Sequence, residues 1–140
     1  DIQAAIGIHQ LRRIEDYWKK REKIWNQYLS VFKDTDLGLP AAVEDNTRHA
    51  YHLFTVRINK EKLGVSRDQF LEQMTKRNIG VGVHYLSIPD HPFYQKEYGW
   101  KPADFPHAQL YGQETVSLPI SPKLSDQDFD DVVNAVKDIL

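Results

Sequence analysis

The stretch from Asp1 to about Phe32 constrains this chain more than any other, because it reads as one long amphipathic helix that needs a surface to lie against. Leu11, Ile14, Trp18, Trp25, Tyr28 and Phe32 recur at three- and four-residue spacing, and Arg21 is the one polar position in that stripe. The opposite face carries charges of both signs, from Arg12 and Arg13 to Glu22 and Lys23, as expected of a solvated face. The first turns differ. Ile2, Ala4, Ala5, Ile6, Gly7 and Ile8 are apolar or small nearly all the way round, the pattern of a helix end buried on every side. Little remains in 140 residues to bury that end, and the helical period is already running at Asp1. The expectation is a piece of a longer protein, its helix end covered by absent chain or by a second subunit.

A chain of 140 residues makes one domain and buries about two thirds of its unfolded surface without cross-links. Its 41% apolar and 27% charged residues place it in the soluble globular class, and no apolar run approaches a membrane span. There is no cysteine, which excludes a disulfide framework, thiol nucleophiles and thiolate metal sites and agrees with a cytoplasmic location. The 18 basic and 20 acidic side chains are mixed along the chain, so no basic stripe marks it as a nucleic-acid binder.

After a loop over Lys33 to Thr47, Ala50 to Ile58 is rich in aromatic and β-branched residues and predicts a strand, flanked by His49 and His52. Neither histidine has metal-ligand spacing to another, so no metal site is expected. Ser66 and Gln69 form a capping box opening a helix that buries Phe70, Leu71 and Met74 and stops at Asn78. Ile79 to Tyr85 then alternates as a second strand, and a proline-framed loop holding His91 follows. Phe93 to Pro102 is aromatic without a clean period, suited to a flap over a pocket or to the cover of a core edge. A short helix from Asp104 or Pro106 to Gly112, a third strand over Glu114 to Leu118, and a last helix capped by Ser125 complete the order. The fold class is therefore α+β, a long helix leading into a small sheet of three or four strands with helices on one face. As one domain, it divides into a linking helix over 1–33 and an α+β body over 48–140.

The strand Ile79 to Tyr85 puts Ile79, Val81, Val83 and Tyr85 on one face and Gly80, Gly82 and His84 on the other. Two glycines on one face fit either close approach of a ligand or backbone, or a helix laid against them with His84 a hydrogen-bonded core residue. No nucleophile elbow, phosphate-cradling loop or complete dinucleotide fingerprint is present, since Gly80-Val81-Gly82 lacks a third glycine and opens no helix. The residues alone thus reach a binding surface centred on His84, Tyr85 and His91, able to meet an anionic or hydroxyl-rich ligand.

Four ordered blocks carry a resemblance. Asp1-Ile2-Gln3-Ala4-Ala5-Ile6-Gly7 with Gln10-Leu11 and Arg21, then His49-Ala50-Tyr51-His52-Leu53-Phe54, then Asn78 to Tyr85 with His91, then Ser117-Leu118-Pro119-Ile120 running through Pro122 to Leu124-Ser125, together resemble the carboxy-terminal part of the DegT/DnrJ/EryC1/StrS family of sugar aminotransferases. The resemblance implies the small domain of a fold-type I aminotransferase whose cofactor, pyridoxal 5'-phosphate, is held by an amino-terminal domain absent here, with no cofactor-binding or catalytic residue in this chain. No lysine present, Lys19, Lys20 and Lys76 included, matches the family's Schiff-base position. It implies His84, Tyr85 and His91 at the cleft edge toward a nucleotide-sugar substrate, glutamate as amino donor, a cytoplasmic homodimer when intact, and a place in polysaccharide or lipopolysaccharide biosynthesis. Alternatives are a sugar dehydratase relative, an autonomous ligand-binding or regulatory module, and a purely structural dimerisation piece.

Overall fold

The computed structural model describes residues 1–140 and begins with helix α1, Ile2–Phe32, which ends inside the core. Strand β1 (Phe54–Arg57) follows, then α2 (Lys60–Leu63), α3 (Arg67–Lys76), α4 (Pro92–Tyr98), α5 (Pro106–Glu114), β2 (Thr115–Leu118) and α6 (Asp126–Ile139). The expected capping box forms at Ser66, and the expected cap at Ser125 is a second box. Ser66 accepts from the Gln69 amide while the Gln69 side chain accepts from the Ser66 amide, and Ser125 does the same with Asp128. The Ser125 hydroxyl and the Ser125 backbone N–H both donate to the Asp128 carboxyl and hold it below its usual range. Asn78 takes the left-handed conformation (φ 59) that stops α3.

β1 and β2 pair antiparallel, Phe54 opposite Leu118 and Arg57 opposite Thr115. Phe54, Val56, Val116 and Leu118 point into a core completed by Trp25, Tyr28 and Phe32 of α1, Phe70 and Met74 of α3, and Val132 and Val136 of α6. Tyr28 is wholly buried and donates its hydroxyl to the Pro119 carbonyl at 2.8 Å. That contact ties α1 to the segment after β2. The other sheet face is polar, with Thr55, Arg57, Thr115 and Ser117, and α5 reaches it through Tyr111, whose ring lies beneath the Arg57 guanidinium.

The sheet is narrower than expected. Two strands form a ladder, and one isolated bridge extends it on each side, Gly38 to Arg57 and Gly82 to Ser117. Ile79 and Val81 pack on the core as the alternation predicts, but the pattern does not reach the end of the segment, where Tyr85 is exposed. Only Gly82 of that segment bridges β2, because the glycines supply no side chains to hold a longer ladder. β1 also starts later than the composition suggests. Tyr51 takes a left-handed backbone (φ 49), and its ring inserts beside Trp18, Trp25 and His49 while its hydroxyl donates to Glu22 at 3.3 Å. Burial, then the Glu22 carboxylate, push the Tyr51 hydroxyl above its ordinary pKa.

α5 runs through Gly112 to Glu114 instead of stopping at the glycine, which is buried and pressed against Ser87. The aromatic stretch after Pro92 holds α4 and closes on itself. Tyr94 stacks on Tyr98 and on Trp100, and Trp100 meets Phe105 at 5.2 Å. The first turns of α1 are not buried within this chain. Ile2 is 80% exposed and Leu11 69%, because no element of the 140 residues covers them. No helix is long and apolar enough to cross a membrane.

Candidate functional site

The segment after α3 runs beside β2 and makes the floor of an open cleft. Gly82 and Ser117 exchange both backbone hydrogen bonds, Ser117 N–H to Gly82 at 2.8 Å and Gly82 N–H to Ser117 at 3.2 Å. A residue on an antiparallel strand directs its N–H and C=O to one side, so Ser117 stands in a non-hydrogen-bonded pair with Thr55 on β1. Side chains approach closely in such pairs, and the Thr55 and Ser117 hydroxyls lie 3.4 Å apart.

His84 returns over this bridge. Its Nδ1 is 3.0 Å from the Ser117 hydroxyl oxygen, and its ring occupies the space above Gly82. A methyl group at residue 82 would sit 2.7 Å from His84 Cε1. Gly82 therefore makes room for the imidazole, whereas a methyl at Gly80 would meet nothing within 4 Å. Of the two sequence readings of the glycine face, neither describes the arrangement fully. His84 is hydrogen-bonded, but it lines a cleft, and the close approach to Gly82 is its own ring.

The cleft has a volume of about 470 Å³, and its polar lining consists of Arg21 from α1, His52 from the turn before β1, His84, Ser117 and Ser121. Each is placed for a local reason. Arg21 interrupts the apolar stripe of α1 and directs Nε to the Ala50 carbonyl at 3.4 Å. The left-handed turn at Tyr51 sends that ring into the core and leaves His52 exposed at the cleft. Next to it, Trp18 donates to the His49 carbonyl at 2.7 Å, Arg48 lies over the Trp18 ring and pairs with Glu15, and His49 packs 4.7 Å from the Trp25 ring. These contacts pin the 48–51 segment to α1.

Of the three site residues expected from the sequence, His84 lines the cleft. Tyr85 follows it across a cis peptide bond, is 72% exposed, and sets its ring edge-on to the imidazole at 4.9 Å. His91 is exposed at the start of α4, and neither it nor Tyr85 is among the residues that line this cleft. Arg21, His52 and Ser117 were not expected there. A lone arginine in an apolar helical stripe and a serine in a buried strand were the available signals.

The lining contains no lysine and no carboxylate. It offers hydrogen-bond donors, one fixed cation and two imidazoles, a set suited to phosphate, hydroxyl or carbonyl oxygens. The same set does not fit the anchors of pyridoxal phosphate, which needs an amine for its aldehyde and an acid for its ring nitrogen. No three histidine, aspartate or glutamate side chains converge as a metal site.

A family model described as the DegT/DnrJ/EryC1/StrS aminotransferase family matches residues 1–137. The chain is 43% identical over 141 residues to the spore coat polysaccharide biosynthesis protein SpsC of Bacillus subtilis, matching all of this chain and 36% of that protein. An uncharacterized protein of Methanocaldococcus jannaschii is likewise 43% identical over 140 residues, again with 36% of its length matched. Among solved structures, a putative sugar aminotransferase of Streptococcus pneumoniae in its apo form superposes with a TM-score of 0.88 at 26% identity, over 99% of this chain and 34% of that one. Helicobacter pylori PseC, an aminotransferase involved in the biosynthesis of pseudoaminic acid, superposes at 0.85 with 25% identity, over 99% of this chain and 36% of its own. The chain thus spans about a third of the length of these relatives.

Proposed function

Because this chain belongs to the DegT/DnrJ/EryC1/StrS aminotransferase family, we propose that it forms one wall of the substrate cleft of a pyridoxal-phosphate-dependent sugar aminotransferase. In the intact protein an amino group passes from glutamate to a nucleotide-diphosphate keto-sugar. Pyridoxal phosphate, held by an amino-terminal domain outside this chain, supplies the electron sink for that transfer. Within the chain, residues 1–33 link the two domains and 48–140 form the body of the small one. The assembly is a cytoplasmic homodimer serving polysaccharide or lipopolysaccharide synthesis.

The observation that carries this reading is the one-sided chemistry of the cleft. Arg21, His52, His84 and Ser117 line it with no carboxylate among them. A diphosphate joined to a sugar presents many oxygens and negative charge, and such a lining receives it without a repelling acid. His84 donates to a sugar or phosphate oxygen, while Tyr85 and His91 flank the ligand from the rim. This chain binds and orients; the chemistry at the amino group lies elsewhere.

Calorimetric titration of the full-length protein with a panel of nucleotide keto-sugars tests the reading. One member binds, and His84→Ala weakens it about 10- to 30-fold, the loss of one hydrogen bond to a polar or charged acceptor. Equal affinity of wild type and variant for every sugar that binds overturns the assignment of His84.

A further inference from the structure

Ser117 is 5% exposed, and its backbone is fixed by both bonds to Gly82, so its hydroxyl must be satisfied by what surrounds it. Two atoms are within reach, His84 Nδ1 at 3.0 Å and Thr55 Oγ1 at 3.4 Å. Each hydroxyl has one proton to give. If Thr55 donates to Ser117 and Ser117 donates to Nδ1, every proton in the row has an acceptor. The reverse order leaves the Thr55 proton without an acceptor in the protein, because that half-buried hydroxyl has no other protein partner within hydrogen-bond distance. The first order leaves the imidazole proton on Nε2, the ring nitrogen that makes no hydrogen bond within the chain.

We infer that Ser117 is a positioning residue for His84: the row Thr55 to Ser117 to Nδ1 fixes the neutral imidazole as its Nε2–H tautomer and turns a hydrogen-bond donor toward the cleft. The inference rests on reading that cleft as the substrate-facing wall, and it names the chemistry His84 accepts. A neutral ring held this way gives a proton to an oxygen. It therefore selects a ligand hydroxyl, carbonyl or phosphate oxygen at this point and disfavours an amino group, which would bring a second donor. Gly82 belongs to the same device, since any side chain there would displace the ring that the serine holds.

The test is long-range proton–nitrogen correlation NMR on the full-length protein with nitrogen-15 histidine, at about pH 8 where an ordinary imidazole is neutral. His84 is assigned by the signal missing in His84→Gln. The expected wild-type pattern is an unprotonated Nδ1 and a protonated Nε2 with widely separated shifts. In Ser117→Ala the ring loses its anchor, and the two shifts move toward each other as the tautomers average. Thr55→Val removes the start of the row but leaves the Ser117 donation, so the wild-type pattern persists. A protonated Nδ1 in the wild type overturns the inference, as does a Ser117→Ala pattern unchanged from wild type. The wild-type readout alone decides the direction, and this holds even if Ser117→Ala fails to fold. The tautomer is read without substrate or turnover, so failure of the aminotransferase reading appears in the calorimetry and not here.

Discussion

Glycine to alanine inside a helix ordinarily stabilises by about 1 kcal/mol, because alanine loses less backbone freedom on folding. Gly7 and Gly112 separate the rule from its exception within one chain. At Gly7, on the exposed part of α1, an added methyl meets nothing within 4 Å, so Gly7→Ala follows the rule. At Gly112, in α5, the methyl would lie 2.6 Å from the Ser87 amide nitrogen and 2.9 Å from its Cβ. The nearest atom is backbone and Ser87 is itself buried, so the contact is relieved only by moving the 86–91 segment off α5. Overpacking of this kind costs about 1–3 kcal/mol. Set against the propensity gain of about 1 kcal/mol, the net for Gly112→Ala runs from about zero to a destabilisation of about 2 kcal/mol. With a slope of about 2 kcal/mol per molar in urea, the unfolding midpoint falls by up to about 1 M, while that of Gly7→Ala rises by up to about 0.5 M. Urea titration followed by tryptophan fluorescence reads both. Equal upward shifts for the two variants would refute the packing of Ser87 on α5 described above.

Two further outcomes follow from the core and from the lysines. Burial holds the Tyr28 hydroxyl far above its ordinary pKa of 10.0. The folded state keeps that proton while the unfolded chain releases it, so this contribution is full below pH 10 and is lost as pH rises beyond it. Tyr28→Phe leaves the Pro119 carbonyl without its partner and lowers stability by about 1–2 kcal/mol at neutral pH, and it flattens the alkaline decline. Denaturation of wild type and variant across pH 8 to about 11.5 measures both effects; parallel curves would count against the buried hydroxyl. In addition, incubating this 140-residue chain with pyridoxal phosphate and reducing with borohydride labels no lysine selectively, read by peptide mass spectrometry. A specific adduct at one lysine contradicts the expectation that this chain holds no cofactor-binding lysine.

What was legible in the sequence was whatever short-range chemistry decides. The capping box at Ser66 and the cap at Ser125 are each complete in four residues and formed as read, the latter as a box as well. The later half of the α1 stripe is core. Misreadings arose where distant contacts override local preference. Residues 50 to 53 have strand composition, yet the aromatic content serves packing of Tyr51 onto the α1 tryptophans, and the backbone turns left-handed to permit it. Phe93 to Trp100 shows no period because its rings stack on one another. Gly112 looked like a terminator, and only the position of Ser87 reveals it as a contact. His84 was found from its place on an alternating segment. Arg21, His52 and Ser117 come from three separate elements, and nothing in their spacing along the chain brings them together.

The unequal embedding of α1 has a mechanical consequence. Its second half is clamped by Trp25, Tyr28 and Phe32, while its first turns stand clear of the body. Trp18 too is held, by the His49 carbonyl and the core edge, and from it back to Ile2 the helix runs about 24 Å at 1.5 Å per residue. It is a lever with its fulcrum at the edge of the body and Arg21 close to the pivot. A tilt of about 5° moves the free end by about 2 Å yet shifts Arg21 by less than about half an ångström over its three-residue arm. Whatever grips the first turns can therefore travel about 2 Å while the cleft beside the pivot keeps its shape.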